Sequence, residues 1–288
     1  MINRLVVFNT WHLGDMHVGK EFVRKFFNVA EKNNVPYFYA TDKNTHALNL
    51  PVNFLSLDQC DYAVRNCPPS FYSHDGTFYA NIWVGHYLIA QQHNIVNQIP
   101  MWQDIAAKLI ASSGGQLIPA ISNDPWEFVP EINEELLSPM NIPEGRKVLI
   151  CNNPSISLPT FQTNLYEPIS RLADEFPNIN FVCTLNMGLV KPNVCYTDNI
   201  ITYQHVNDLP EIGHLAKFCD IIASNSSGPG TFIINKTVLS DASKKIISFS
   251  PAYENTLWAG VGALAQTSWE PDASDQNFYE KIRDAINA

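Results

Sequence analysis

The sequence predicts an α/β protein of two domains, each a mainly parallel sheet flanked by helices, and three observations carry that expectation. Runs of β-branched and aromatic residues alternate with segments whose apolar residues recur every three or four positions, the pattern of strand–helix–strand units. The alternation halts in a stretch between Pro119 and Gly145 that carries Pro119, Pro125, Pro130, Pro139 and Pro143, and then restarts. The chain of 288 residues also exceeds the size at which a single core stops growing.

The elements follow in order. Leu5 to Phe8 is a first strand. A turn containing Gly14 and Asp15 comes next, then a helix from about Met16 to Lys32 whose apolar face is Phe22, Val23, Phe26, Phe27 and Ala30. Val35 to Ala40 completes an opening βαβ unit. Val52 to Leu57 and Phe78 to Val84 are further strands, the latter announced by the turn dipeptide Asp75-Gly76. Met101 to Ala111 is a helix with Trp102, Ile105, Ala106, Leu109 and Ile110 inward. Beyond the prolines come the strand Lys147–Cys151, a helix from Asn164 to Glu175 and the strand Ile179–Cys183. A helix from Asp208 to Lys217, the strands Asp220–Ser224 and Lys245–Phe249, and a closing helix from Gln276 to Ala288 finish the chain. The expected division is residues 1–140, residues 145–274 and a C-terminal helix over 275–288.

Composition narrows the function. Hydrophobic residues make up 45% and charged residues 16%, a globular balance. A formal charge of -10 without a Lys/Arg cluster argues against nucleic acid as a partner. An anion must then be bound locally, by backbone amides at a helix start. The six cysteines form no CxxC pair or zinc-type spacing and read as reduced core thiols. Met1 to Phe8 is too short and strand-like for a signal peptide, and no apolar run reaches membrane-spanning length. A cytoplasmic location is expected, with peripheral membrane contact left open, so the sequons at Asn225 and Asn235 carry no glycan.

Two turns attract chemistry. Asn225-Ser226-Ser227-Gly228-Pro229-Gly230-Thr231 follows a buried strand and opens a short helix. Ser226 and Ser227 offer capping hydroxyls, Pro229 suits a first helical turn, and Gly228 lets a ligand approach the backbone. The turn either cradles a phosphate or simply joins strand to helix. Gly14-Asp15 lies where the first strand ends, the position at which open α/β sheets bind ligands. Asp15 either caps the following helix or takes a proton from an attacking hydroxyl, and one residue can do both. His12 and His17 lack the HExxH spacing of a zinc site, and His12 reads as a residue of the active-site turn. Lys20 reads as a solvated lysine near that turn, with a phosphate or acceptor as the other partner. Trp83, Trp102 and Trp258 read as packing before stacking on a sugar or base.

The segments Phe8-Asn9-Thr10-Trp11-His12-Leu13-Gly14-Asp15, Asp208-Leu209-Pro210-Glu211 and Cys219-Asp220-Ile221-Ile222-Ala223-Ser224-Asn225-Ser226-Ser227-Gly228-Pro229 resemble, in kind and order, the signatures of the ADP-heptose:lipopolysaccharide heptosyltransferase family. The resemblance implies the GT-B fold, two Rossmann-like domains facing across a cleft, with the acceptor on the first and the nucleotide-sugar donor on the second. It implies Asp15, in the Gly14-Asp15 turn, as catalytic base and a donor site in the late turn of Ser226, Ser227, Gly228, Pro229, Gly230 and Thr231. By their positions His12 joins Asp15 as a catalytic candidate and Gly14, Asn152 and Lys191 join the donor-binding candidates, Lys191 in the loop after the strand containing Cys183 reading either as a solvated lysine or as reaching a donor phosphate. Ser226 stands where that family carries an acidic residue, Thr231 stands near its usual His, and Cys151-Asn152-Asn153-Pro154 replaces a Gly-rich, Lys-containing segment. No Asp-x-Asp occurs, so a metal-independent mechanism is expected. With Asp15 as base the expected reaction is an inverting transfer to a glycan or other hydroxyl acceptor, with the nucleotide-diphosphate sugar as substrate and no further cofactor. A nucleotide-sugar epimerase or hydrolase, or a binding protein that has lost turnover, are the alternatives.

Overall fold

The structure is a computed structural model of the chain and describes residues 2–10, 12–67, 71–83, 94–154, 165–202, 208–225, 227–250 and 256–288. Trp11, Val84, Asn164 and Ser226, named above, lie outside these residues. The chain divides into two units, Met1–Pro130 and Glu131–Ala288.

The first unit is built on a five-stranded sheet in the order β3-β2-β1-β5-β4. Strands β1 (Arg4–Phe8), β2 (Tyr37–Ala40), β3 (Phe54–Leu55) and β5 (Thr77–Asn81) are parallel neighbours in that order. Strand β1 is flanked on both sides and all but Arg4 of it is buried, which explains its unbroken apolar run. Strand β4 (Phe71–His74) is antiparallel to β5. Asp75-Gly76 is therefore a hairpin turn, with both residues at positive φ (46° and 73°). A side chain at Gly76 would sit 2.7 Å from Asn3 Nδ2. The sequence showed the turn but not its other arm, because β4 carries two exposed positions and lacks a hydrophobic run.

The single helix expected over 16–32 is two, α1 (Leu13–Val18) and α2 (Lys20–Lys32), parted at Gly19. A Cβ there would meet Ile82 Cδ1 at 3.0 Å, so the glycine lets the chain pass close to the end of β5. The short helices α3 (Thr45–Leu48) and α4 (Asp61–Asn66) follow. Helix α5 (Ile95–Ser112) begins well before the expected Met101. Asn94 caps it, accepting from Asn97 N at 2.9 Å, and Pro100 is carried inside because Ile95 and Ile99 are buried along with Trp102, Ile105 and Leu109. Trp102 stacks on Phe22 (5.7 Å) and tilts onto Phe128 (4.8 Å), so it is a core residue of this unit.

The second unit is an all-parallel six-stranded sheet, β11-β10-β9-β6-β7-β8. The strands are β6 (Lys147–Cys151), β7 (Asn180–Cys183), β8 (Val194–Tyr196), β9 (Ile221–Asn225), β10 (Lys245–Phe249) and β11 (Gln266–Glu270). Strands β8 and β11 escaped the sequence reading: one spans three residues and the other is a polar edge strand. Helices α6 (Tyr166–Glu175) and α11 (Asp275–Asn287) pack on the sheet through Ile169, Leu172, Phe278 and Ile282, beside Phe181 and Phe249. Between these elements lie α7 (Thr197–Ile200), α8 (Leu209–Leu215), α9 (Gly228–Phe232) and α10 (Lys236–Leu239).

The proline-rich stretch is ordered where it enters the second unit. Ser138 N donates to buried Glu211 at 2.9 Å, and Met140 bridges Ile201. Among the described residues no helix is long and apolar enough to cross a membrane.

Candidate functional site

Each sheet has one place where successive strands depart in opposite directions from the centre, and there the strand ends leave a crevice for ligands. In the second unit it lies between β6 and β9, the arrangement of a dinucleotide-binding sheet in which the first and fourth strands are neighbours. The residues that leave those strands are Asn152 and Asn153 on one side and Asn225 to Thr231 on the other.

Ser227 is the N-cap of α9 and its hydroxyl accepts from Gly230 N at 3.4 Å. The turn also bonds to itself: Ser227 N donates to Asn225 O (2.8 Å), Thr231 N to Ser227 O (2.9 Å) and Thr231 Oγ1 to the same oxygen (3.0 Å). Pro229 has no N–H. The Gly228 N–H is left without a protein partner among the described residues, fewer amides than the sequence suggested. Helix α9 is five residues long, so its dipole is small.

The two turn glycines have different work. At Gly230 a Cβ would lie 2.1 Å from Asn225 O, so glycine is required for α9 to pack on the end of β9. At Gly228 the nearest atoms would be Leu209 methyls at 3.5 Å, an ordinary contact, so packing does not demand glycine there.

Asn225 is the residue the sequence reading passed over within its own loop. Its Nδ2 donates to Asn153 O at 2.8 Å, which ties the ends of β9 and β6 together. That bond orients the amide and leaves Oδ1 buried with no partner, an acceptor at the switch point. Asn225 also lines a small hollow with Ser224, Cys151, Leu165, Phe249 and Phe278. The only sequence signal was an Asn at a strand end.

Two expected donor contacts are engaged elsewhere. Asn152 Nδ2 donates to Leu185 O (2.9 Å) and its Oδ1 accepts from Leu185 N (2.8 Å), so its amide clamps the ends of β6 and β7. Lys191 lies in the segment leading into β8, where its Nζ donates to Ser170 O (2.9 Å) and pairs with Asp174 on α6. The structure does not bring Lys191 to the Ser227 turn, because that segment returns to where the parallel strands begin.

In the first unit the corresponding crevice lies between β1 and β5. Asn9 and Asn81, at the ends of those strands, are buried. His12 is the N-cap residue of α1 without a side-chain cap bond, and Gly14 and Asp15 fall in its first turn, half-buried. Asp15 therefore sits at the start of α1. Its charge reaches the buried Tyr39, whose phenol is pushed well above its ordinary value by burial first and Asp15 second. Lys20 is a correction: it is fully buried, donating to Asn49 Oδ1 at 3.1 Å, and ties α2 to the residue closing α3.

All six cysteines are unbonded and five are buried. Burial pushes the Cys67 thiol up to about 11 and Cys219 up to about 12, so neither is a thiolate nucleophile at neutral pH. Among the described residues no cluster of three or more His, Cys, Asp or Glu has the arrangement of a metal site.

Two α/β units, each with a parallel core and a strand-end crevice, define the architecture of GT-B glycosyltransferases. The particular likeness is to the dodecameric iron-containing heptosyltransferase TibC, solved with ADP-D-β-D-heptose: TM-score 0.51 at 12% identity, covering 99% of this chain and 76% of that one. A glycotransferase of kitacinnamycin (TM-score 0.49, 12% identity, 100% and 92% covered) and a family 9 glycosyl transferase from Veillonella parvula (0.47, 12%, 99% and 89%) align less closely. No family model and no curated protein matches the chain. The likeness to TibC is one of fold.

Proposed function

We propose that this protein is a glycosyltransferase that moves a sugar from a nucleotide-sugar donor to a hydroxyl acceptor. The observation that carries the reading is the Ser227–Thr231 turn at the β6–β9 switch point of a dinucleotide-type sheet, in a chain that shares TibC's fold over 99% of its length. The donor diphosphate sits at the ends of β6 and β9, meeting the Gly228 N–H, while the buried Asn225 Oδ1 accepts from a donor hydroxyl or amine. Ser226 belongs to the same proposed site. The domains divide the labour, donor on the second and acceptor on the first.

Asp15 is the general base. It takes the proton of the acceptor hydroxyl as that oxygen bonds to the anomeric carbon from the face opposite the leaving diphosphate, so the anomeric configuration inverts. His12 begins the same helical turn and lies beside the acceptor. The absence of an Asp-x-Asp sequence supports leaving-group stabilisation by fixed protein dipoles without a metal. Six reduced thiols suit the cytoplasm.

Asp15→Ala tests the assignment: turnover of the nucleotide-sugar should fall by about a hundredfold or more while donor affinity stays within a factor of two or so. Unchanged turnover rejects Asp15 as base. Release of free or epimerised sugar from donor alone, with no acceptor present, would favour the hydrolase or epimerase reading.

A further inference from the structure

Thr184 follows β7 and extends its pairing with β6, its N–H donating to Ile150 O at 3.0 Å. The residue is buried, and its hydroxyl bonds to both asparagines that leave β6. It accepts from Asn152 N at 3.1 Å and donates to Asn153 Oδ1 at 2.5 Å, while Ile150 O and Asn152 Oδ1, the other acceptors in reach, stand at 3.4 Å. A hydroxyl has one proton to give, and the nearest acceptor takes it. The Asn153 amide is thereby oriented: its oxygen is bound to Thr184 and its NH2 group is turned away. Among the described residues that group has no protein partner.

Holding the strands together does not account for this arrangement. Asn225 of β9 ties itself to the main-chain oxygen of Asn153 at 2.8 Å, a bond that any residue at position 153 supplies. Asn152 already clamps β6 to Leu185. The Asn153 side chain adds one bond, to Thr184, and keeps its N–H donors on a residue joined to Asn225, whose Oδ1 is buried and unmatched. A fixed donor and a fixed acceptor thus stand at the ends of β6 and β9, where the sheet divides. We propose that Thr184 is a positioning residue for the donor diphosphate, its hydroxyl holding the Asn153 amide so that the NH2 group donates to a phosphoryl oxygen. Asn153 makes the contact and Thr184 acts through it. With Lys191 engaged at Ser170 and Asp174, the side-chain nitrogen offered here is an amide. An amide already oriented gives up little rotamer freedom on binding, so the Thr184 bond raises affinity by preorganisation. The inference rests on the nucleotide-sugar reading for the identity of its ligand and deepens it by naming what orders the site.

The test is calorimetric titration of the full chain with ADP, UDP and GDP, following whichever binds the wild type tightest. Asn153→Ala and Thr184→Val should each weaken it by about tenfold or more, the effect of losing a hydrogen bond to a charged group. Thr184→Ser keeps the hydroxyl and should recover most of the loss. Because Thr184 acts through Asn153, the double variant should bind no more weakly than Asn153→Ala alone. Losses that multiply would make Thr184 a residue of the fold only, and they overturn the proposal, as does full affinity in either single variant. Thr184→Val leaves the Asn152 N–H without its acceptor; should it fold poorly, Asn153→Asp decides. That change keeps an oxygen for Thr184 and sets a charged oxygen where the NH2 group was, so affinity should fall below that of Asn153→Ala, and an equal or higher affinity overturns the proposal. Wild-type binding that survives every variant sinks this assignment and leaves the nucleotide-sugar reading standing, whereas a wild type that binds none of the three nucleotides loses the donor site itself and this assignment with it.

Discussion

At the scale of single residues, the late turn separates glycines by what stands where a side chain would go. Gly230→Ala places a methyl 2.1 Å from Asn225 O, a backbone atom that cannot step aside. The loss should be about 2–3 kcal/mol, read from urea unfolding. Gly228→Ala meets only Leu209 methyls at 3.5 Å, so stability should stay within about 0.5 kcal/mol. If a diphosphate lies against the Gly228 amide, that same substitution should weaken nucleoside-diphosphate binding severalfold in calorimetry. Unaltered affinity would move the phosphate away from this turn. From sequence alone the two glycines were indistinguishable, because what requires glycine at 230 is the carbonyl that ends β9.

At the scale of elements, α8 anchors the segment that opens the second unit. Glu134 accepts from Lys217 at 3.0 Å and pairs with His214, beside the Ser138–Glu211 bond. Lys217 first, with His214 adding to it, holds the Glu134 carboxyl below its usual value, and burial pushes the His214 imidazole below its ordinary 6.5. Both folded values are depressed. Their stabilisation is therefore present above the unfolded-state values and is lost as pH falls through the folded ones. The melting temperature should decline as pH drops from about 6.5 towards 5, where unfolded His214 gains its proton first, and His214→Gln should flatten that part of the curve. An identical slope in the variant would show that other groups set the acid sensitivity. Element boundaries, too, were decided by neighbours: α5 runs through Pro100 because Ile95 and Ile99 have a core to enter, and one expected helix became two at Gly19, where Ile82 presses close.

For the whole molecule, the donor site proposed within the second unit has a thermodynamic consequence. The second unit carries its own buried sheet and helix faces, so residues 131–288 expressed alone should fold and retain nucleoside-diphosphate affinity while losing transfer, since Asp15 belongs to the other unit. In the full chain, a nucleoside diphosphate at a hundred times its Kd should add about 2.7 kcal/mol and raise the melting temperature by roughly 5–10 °C. A panel of nucleoside diphosphates with no shift at millimolar concentration would count against a nucleotide site.

The sequence by itself determined the α/β class, the existence of two domains, the central strands and the two turns worth watching. Those features rest on local periodicity and on runs of apolar residues, which a buried parallel strand needs whatever surrounds it. Only the tertiary structure decided which polar residues are engaged in holding the fold and which keep a polar atom unmatched. Asn152, Lys191 and Lys20 looked available for a ligand, yet each is spent on a neighbouring element: the backbone of Leu185, α6 and Asn49. Tyr39 and Asn225 looked ordinary, yet each keeps a buried polar atom unmatched. The physical reason is that a hydrogen-bonding side chain declares its role by its partner, and these partners lie from 21 to 72 residues away along the chain, brought close by the pairing of strands and the packing of helices.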